Sequence, residues 1–329
     1  MKHLQLGILL ALFFHSGLAT KPASATTQDG SLQVIRIGHF PNVTHAQALI
    51  AHQLSRSGNG WFEERLAPDI RIEWFVYNAG PAAMEAIFAG SIDLTYVGPS
   101  PAINAYVRSS GNEIRVIAGA VAGGAALVVQ SDGRIKSPAD FRGKKIATPE
   151  FGNTQDIACR AWLGTQGFKI TQLGGDVQII PTANPDQITL FQQRLIDGAW
   201  TVEPWVSRLE LEAKGTIYLE QTDPITTILV SSAGFLREHR ALATALVRAH
   251  AELTDWINHH PGEAQALVRS ELAAEMKHDF SLQVIQKSWP RLRFTTEISP
   301  VPFEAFLADA KKAGFLYKSV DLSRLVDTP

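Results

Sequence analysis

Short apolar runs, mostly β-branched, recur along the chain at Val34 to Ile37, Ile70 to Phe75, Leu94 to Val97, Val116 to Ala118, Leu127 to Gln130, Lys145 to Ala147, Val177 to Ile180, Ala199 to Thr201 and Ile228 to Ser231. Runs of that length and composition predict strands. Between them the apolar positions change to helical spacing at His45 to Ser57, Ala82 to Ala89, Pro101 to Arg108, Thr154 to Gln166, Pro185 to Leu195 and Pro204 to Lys214. The alternation predicts an α/β fold of mostly parallel sheets flanked by helices. After about residue 234 the pattern becomes helical alone, at Glu238 to His259, Gly262 to Met276, Ser281 to Ser288 and Pro302 to Ala313, which predicts a helical C-terminal cover.

Two stretches interrupt the alternation. Gly119 to Ala125 is a run of small residues with one valine, and Thr222 to Thr227 places a turn before a strand. Read as two crossings between lobes, they divide the chain into a discontinuous first lobe, 26–121 and 226–329, and an inserted second lobe, 122–225. A double connection supports a hinge, with the ligand expected in the cleft outside the carboxyl ends of the strands.

The joints between strands and helices carry the candidate chemistry. In IRIGHFPNVTHAQAL, LTYVGPSPAINAY, KIATPEFGNTQDIACRAWL and AWTVEPWVSRLEL, a strand gives way to Gly, Pro, Asn, Ser or Glu and then to a helix. A helix start has backbone N–H groups without intrahelical partners and a positive dipole end, so it attracts an anion. Asn42 offers an amide or a cap, and His45 is either a ligand contact or an ordinary hydrogen bonder. Gly98 allows close approach, with Ser100 expected at the N-cap of a helix that begins at Pro101. Gly124 and Ala125 offer N–H donors or serve the hinge. Asn153, Thr154 and Gln155 open the next helix. Glu203 either binds an ammonium group or stabilises its own helix start, the second being favoured, and Trp205 packs on a ligand tail or fills the core.

Composition narrows the setting. Lys2, the apolar run LGILLALFF and Ala23-Ser24-Ala25 read as a secretory signal peptide over residues 1–25. Its removal leaves a formal charge of −4, which offers no basic field for nucleic acid. The single cysteine, Cys159, lies far from the cleavage point, so neither a lipid anchor nor an internal disulfide is expected. A periplasmic monomer follows as the expectation. GxxxxGK[ST], HExxH, CxxC and GxSxG motifs do not occur, and the histidines lack metal-ligand spacing, so no cofactor or metal is expected.

Taken together, the exported N-terminus, IRIGHFPNVTHAQAL, AGSIDLTYVGPSPAINAY, SPADFRGKKIATPEFGNTQD and DGAWTVEPWVSRLE resemble the substrate-binding proteins of ABC importers for aliphatic sulfonates, taurine and nitrate. The resemblance implies a two-lobed type II periplasmic binding fold, capture of a small anionic or zwitterionic solute in the cleft, and delivery to a membrane permease. It extends the site to Pro41, in the turn of Asn42. Nitrate, bicarbonate and phosphonate are alternative solutes, and a receptor is an alternative reader of lobe closure. The same fold resembles sulfinate desulfinases and pyrimidine synthases. Desulfinases use a cysteine in the first cleft loop, and His39-Phe40-Pro41-Asn42-Val43 contains none. A binding protein is therefore expected, not an enzyme.

Overall fold

The computed structural model describes residues 33–171, 174–298, 301–317 and 320–329. The signal-peptide expectation lies outside them. The chain starts with β1 (Gln33–His39), β2 (Ile70–Val76), β3 (Leu94–Val97) and β4 (Ile114–Gly123), linked through helices α1 (Ala46–Arg56), α2 (Trp61–Arg65), α3 (Gly80–Phe88) and α4 (Pro99–Arg108). It crosses at Gly123-Gly124 into β5 (Ala125–Val129), β6 (Lys145–Thr148), the short pair β7 (Ile170–Thr171) and β8 (Gly174–Gly175), β9 (Gln178–Pro181), β10 (Gly198–Val202) and β11 (Thr216–Gln221). Helices α5 (Thr154–Thr165), α6 (Asn184–Gln192) and α7 (Trp205–Ala213) belong to this part. The return runs through β12 (Ile225–Ser232), α8 (Ala233–Glu238), α9 (Arg240–His259), α10 (Pro261–Met276), α11 (Leu282–Ser288), β13 (Leu292–Phe294) and α12 (Val301–Lys312).

Two sheets result, ordered β13-β4-β12-β3-β1-β2 and β11-β5-β10-β6-β9. Each is mixed, which corrects the expectation of mostly parallel sheets. The βαβ units do give parallel pairs, β1 with β2 and β3, and β6 with β9 and β10. The crossing strands cannot follow them. β4 leaves the first sheet at the carboxyl edge, so β12, which returns at that same edge, runs antiparallel to both β3 and β4. β5 enters the second sheet in the same way and is antiparallel to β10 and β11. A further difference lies in the C-terminal region, where β13 pairs with β4 at the sheet edge within the otherwise helical cover. Its pairing is with a strand about 170 residues earlier, which local periodicity does not report.

Prolines in the first turns of α3, α4, α6 and α10 set φ for helix and omit an N–H that would lack a partner there. Glycine at 123 and 124 has a further reason. Both adopt positive φ, near 77° and 75°, which the sharp passage between sheets requires.

The core is continuous beneath both sheets, with Ile35, Ile37, Val128, Trp205, Leu229 and Leu246 all fully buried in one cluster. In α9, Ala243, Leu246, Ala249, His250, Leu253 and Ile257 form the buried stripe expected of an amphipathic helix. His250 is its polar member. Its Nε2 lies 2.8 Å from the Gly119 carbonyl and its Nδ1 2.9 Å from the Tyr96 hydroxyl. The carbonyl can only accept, so Nε2 carries the proton and the tyrosine donates to Nδ1.

Burial holds His250 at about 4, below its ordinary 6.5. The unfolded chain therefore binds a proton that the native ring refuses, and stability falls as pH drops from 6.5 towards 4, by about 3 kcal/mol in all. Urea unfolding across that window should show the loss, and His250→Gln, which keeps a donor for Gly119, should flatten it. Equal slopes in the two proteins would show that this ring does not govern the acid response.

Candidate functional site

Phe40, Asn42, Thr44 and His45 after β1 meet Asn78 to Gly80 after β2, Gly98 after β3, Asn153 to Gln155 at the start of α5, and Asn184 at the start of α6 around one cavity between the sheets. Every one of these segments leaves the carboxyl end of a strand or opens the helix that follows it. Pro101, Pro149, Val202 and Thr226 complete the lining. The cavity is narrow, with a free volume of about 20 Å³, room for about one water molecule.

Among the described residues, no Lys, Arg, Asp or Glu lines the cavity. Its one titratable group, His45, is fully enclosed, and burial holds the ring well below its ordinary value, so it is neutral at physiological pH. The Phe40 backbone N–H donates to His45 Nδ1 at 3.4 Å, which places the proton on Nε2. His45 is a neutral hydrogen-bond donor.

The amide side chains are polarised in the same sense. Trp205 Nε1 donates to Asn42 Oδ1 at 2.7 Å, and the Asp156 backbone N–H donates to Asn153 Oδ1 at 2.8 Å. Both donors lack lone pairs, so they fix which end of each amide is oxygen. Asn153 Nδ2 in turn donates to Gln155 Oε1, while Asn184 Oδ1 accepts from Thr201 Oγ1 and Gln187 Nε2. The protein's own donors thus occupy the amide oxygens of Asn42, Asn153, Gln155 and Asn184, while the Asn78 amide and the hydroxyls of Thr44 and Thr154 keep acceptor capacity in the lining. The first turn of α5 adds backbone N–H groups at Thr154 and Gln155, at the positive end of a helix of 12 residues.

Six of the sequence-derived site residues, Asn42, His45, Gly98, Asn153, Thr154 and Gln155, line this cavity. The other six lie elsewhere. Pro41 is half-buried in the turn before Asn42. Ser100 is not an N-cap. Helix α4 starts at Pro99 with Gly98 as cap, because proline suits the first helical position. Pro99 and Pro101 have no N–H, and the one at Ser100 points to Thr154 Oγ1 at 3.3 Å, so this helix start has little left for an anion. Gly124 and Ala125 form the crossing, where the Gly124 carbonyl accepts the Glu203 N–H at 2.8 Å.

Glu203 is completely buried and its carboxylate is fully engaged by the Ser207 N–H and hydroxyl, the Ser288 hydroxyl and the Arg291 guanidinium, at 2.8–3.0 Å. Burial lifts its carboxyl above the usual range, and these donors pull it back. Its contact with the start of α7 is the stabilising role that the sequence favoured. Trp205 is buried against Phe280 and reaches the site through Asn42. Cys159 is buried inside α5 with its thiol pushed far up, so it is no nucleophile.

Asn78, Asn184 and Thr226 were not singled out from the sequence. The signal for the first two was present, since YNAGP and TANP repeat the strand, turn and proline-led helix of the segments that were chosen.

The architecture is a two-lobed α/β fold with a polar cavity at the strands' carboxyl ends. The sequence pattern of the NMT1-like family matches residues 28–272, and the chain belongs to that family. It is 31% identical over 159 residues to a provisionally named binding protein of Brucella abortus, an alignment covering 48% of this chain and 46% of the relative. The chain thus matches about half the length of that relative. The taurine-binding periplasmic protein of Escherichia coli is 28% identical over 182 residues, 54% of this chain and 55% of that one. The solved alkanesulfonate-binding protein SsuA of Xanthomonas axonopodis pv. citri, bound to MOPS, shares the fold at a TM-score of 0.73 and 18% identity, over 91% of this chain and 99% of that one.

Gly98 tests whether closure depends on this contact between lobes. Its backbone, at φ −71°, accepts alanine, yet a Cβ there would stand 2.3 Å from Thr154 Oγ1. Gly98→Ala should keep the melting temperature and enlarge the radius of gyration seen by small-angle scattering, and adding Thr154→Ala should restore compactness. An unchanged radius in Gly98→Ala would show that closure does not need this approach.

Proposed function

We propose that this protein is the solute-binding component of an ABC importer and captures a small organic oxyanion, an aliphatic sulfonate before others, in the cavity between its lobes. The observation that carries the reading is the neutral, donor-rich character of that cavity. A sulfonate is ionised throughout the physiological range and has no proton to donate, so it needs hydrogen-bond donors on every oxygen and no acceptor. Neutral amides, the His45 Nε2–H and the α5 start supply them without a countercharge. Phe40, Pro101, Pro149 and Val202 offer apolar surface to a short alkyl tail.

The export signal read over residues 1–25 supports a periplasmic setting, and no helix among the described residues is long and apolar enough to cross a membrane. The names of the relatives support the same assignment, with a membrane permease as the partner that takes up the solute. Among the described residues, the only titratable side chain in the cavity lining is the neutral His45. Amine-free sulfonates stand ahead of taurine, because no carboxylate lines the cavity to hold an ammonium group.

Thermal-shift measurements followed by calorimetry should show methanesulfonate or ethanesulfonate raising the melting temperature, taurine binding more weakly, and bicarbonate failing to bind. Absence of a shift with every sulfonate would overturn the assignment. Asn78→Ala and Gln155→Ala should each weaken sulfonate binding about fivefold, the equivalent of one net hydrogen bond of about 1 kcal/mol, with the unliganded melting temperature unchanged.

A further inference from the structure

Behind the Phe40 wall of the cavity lies a second cluster of chemistry-bearing side chains that solute binding does not use. His39 is the last residue of β1, His52 lies on α1, and Glu271 and Glu275 stand one turn apart on α10. His39 Nε2 is 3.1 Å from Glu275 Oε1, His52 Nδ1 is 3.2 Å from that same oxygen, and the two ring nitrogens are 3.2 Å apart. Glu271 Oε1 lies 2.8 Å from His52 Nδ1.

We propose that His39, His52 and Glu275 bind a divalent cation of the zinc class and thereby pin α10 to the end of β1. Tetrahedral ligands at about 2.0–2.1 Å from zinc are separated by about 3.3 Å. The three donor atoms form a nearly equilateral triangle slightly under that spacing, so one point about 2.0 Å from all three exists just outside their plane. Two imidazole nitrogens and carboxylate oxygens are the donor set that suits zinc, cobalt or nickel rather than magnesium or calcium.

Protons alone serve this triangle poorly. If each ring nitrogen donates to a carboxylate, two N–H groups face each other at 3.2 Å, and if one does not, a lone pair faces an anionic oxygen. A cation in the centre satisfies all three lone pairs together. Glu275 Oε2 is also buried without a hydrogen-bond partner. A carboxylate oxygen left in that state is costly unless a charge beside it compensates. The outer ring atom of His39, Nδ1, lies 3.4 Å from the Phe40 carbonyl, an acceptor that orients a metal-bound imidazole.

The side chains of His39, Glu271 and Glu275 are at most 3% exposed, and that of His52 is 14% exposed, so the cation enters past His52. One neighbour opposes it. Arg56 Nη2 lies 3.1 Å from His52 Nε2, which must carry a proton once Nδ1 is ligated. Arg56 also holds Glu271 at 2.7 Å, and its side chain is about half exposed, so it can turn away from the ring while keeping the carboxylate.

The test is titration of the chelator-treated protein with zinc by calorimetry and with cobalt by visible absorption. One equivalent should bind, the melting temperature should rise, and cobalt should give the intense bands of a four-coordinate site. Trp74, stacked on His52 with ring centroids 5.4 Å apart, should be quenched by nickel, a signal absent from Trp74→Phe. His52→Ala, at the more exposed ligand, should lower affinity on the order of a hundredfold or more. Arg56→Ala should raise affinity, because it removes both the opposing donor and a positive charge. No uptake by the wild-type protein would overturn the proposal whatever the variants do. Equal uptake in His52→Ala, or weaker uptake in Arg56→Ala, would overturn it as well.

Discussion

The rest of the structure depends on the buried carboxylate of Glu203. Its backbone N–H is bonded to the Gly124 carbonyl at the crossing, and its own carbonyl accepts the Val43 N–H from the first cavity loop. Its side chain receives Ser207 at the start of α7, Ser288 at the end of α11, and Arg291 just before β13. Three distant parts of the chain, at Val43, at Gly124 and at Ser288 to Arg291, therefore meet at one residue and its own helix start. A charge so placed is stable only while its donors remain, and loss of a partner from a buried pair costs about 3–5 kcal/mol. Arg291 is held in turn by Glu210 and Glu220, so the anchor is a network and not one pair.

This anchor makes the two sides of the cleft unequal. On the Glu203 side, the loop of Asn42 belongs to the first sheet by chain order but is bonded to Trp205 and Glu203 of the second. On the opposite side, the lobes meet through the Ser100 N–H on Thr154 at 3.3 Å, Asn78 on the Pro149 carbonyl at 3.5 Å, and the contact of half-exposed Phe151 with Phe315. Long hydrogen bonds and partly wet ring contacts are worth little beside a buried ion network. The bonds on the Glu203 side are therefore the stronger of the two sets.

Much of this was legible in the sequence because the site is built from a local grammar. A strand, a turn with Asn or Gly and a helix opened by Pro or Thr can be read within fifteen residues, and the segments of Asn42, Gly98 and Asn153 all reached the cavity. The small residues before β5 have a local reason as well, since glycine readily takes the positive φ found at Gly123-Gly124. What escaped depends on distance along the chain. Strand direction at β12 and the pairing of β13 with β4 are decided by where the chain returns, not by the residues of the strand. Ser100 looked like a cap, and only the helix geometry showed the first turn extended back to Pro99. Glu203 met Arg291 across 88 positions, and His52 met Glu275 across 223. No local spacing encodes contacts of that range, so histidines without metal-ligand spacing along the chain can still converge in the fold.

Under the function proposed above, a neutral, donor-rich lining would also discriminate among anions. A sulfonate brings acceptors alone, and each charge-assisted hydrogen bond to it is worth about 1.5–3 kcal/mol, so three or four of them offset the loss of water around a single delocalised charge. Bicarbonate and a singly protonated phosphonate bring a hydroxyl as well. In this cavity that hydroxyl meets four amides whose oxygens are already occupied by Trp205, Asp156, Asn153 and Thr201, and a histidine that presents N–H, so the acceptors open to it are few: the Asn78 amide and the threonine hydroxyls. A buried donor left without an acceptor costs about 1–3 kcal/mol, or roughly tenfold to a hundredfold in affinity. A lysine or arginine in the same place would attract every anion by charge, protonated or not. Selection against the hydroxyl requires the geometry found here, in which charge is absent and polarity is fixed by bonds that the protein makes to itself.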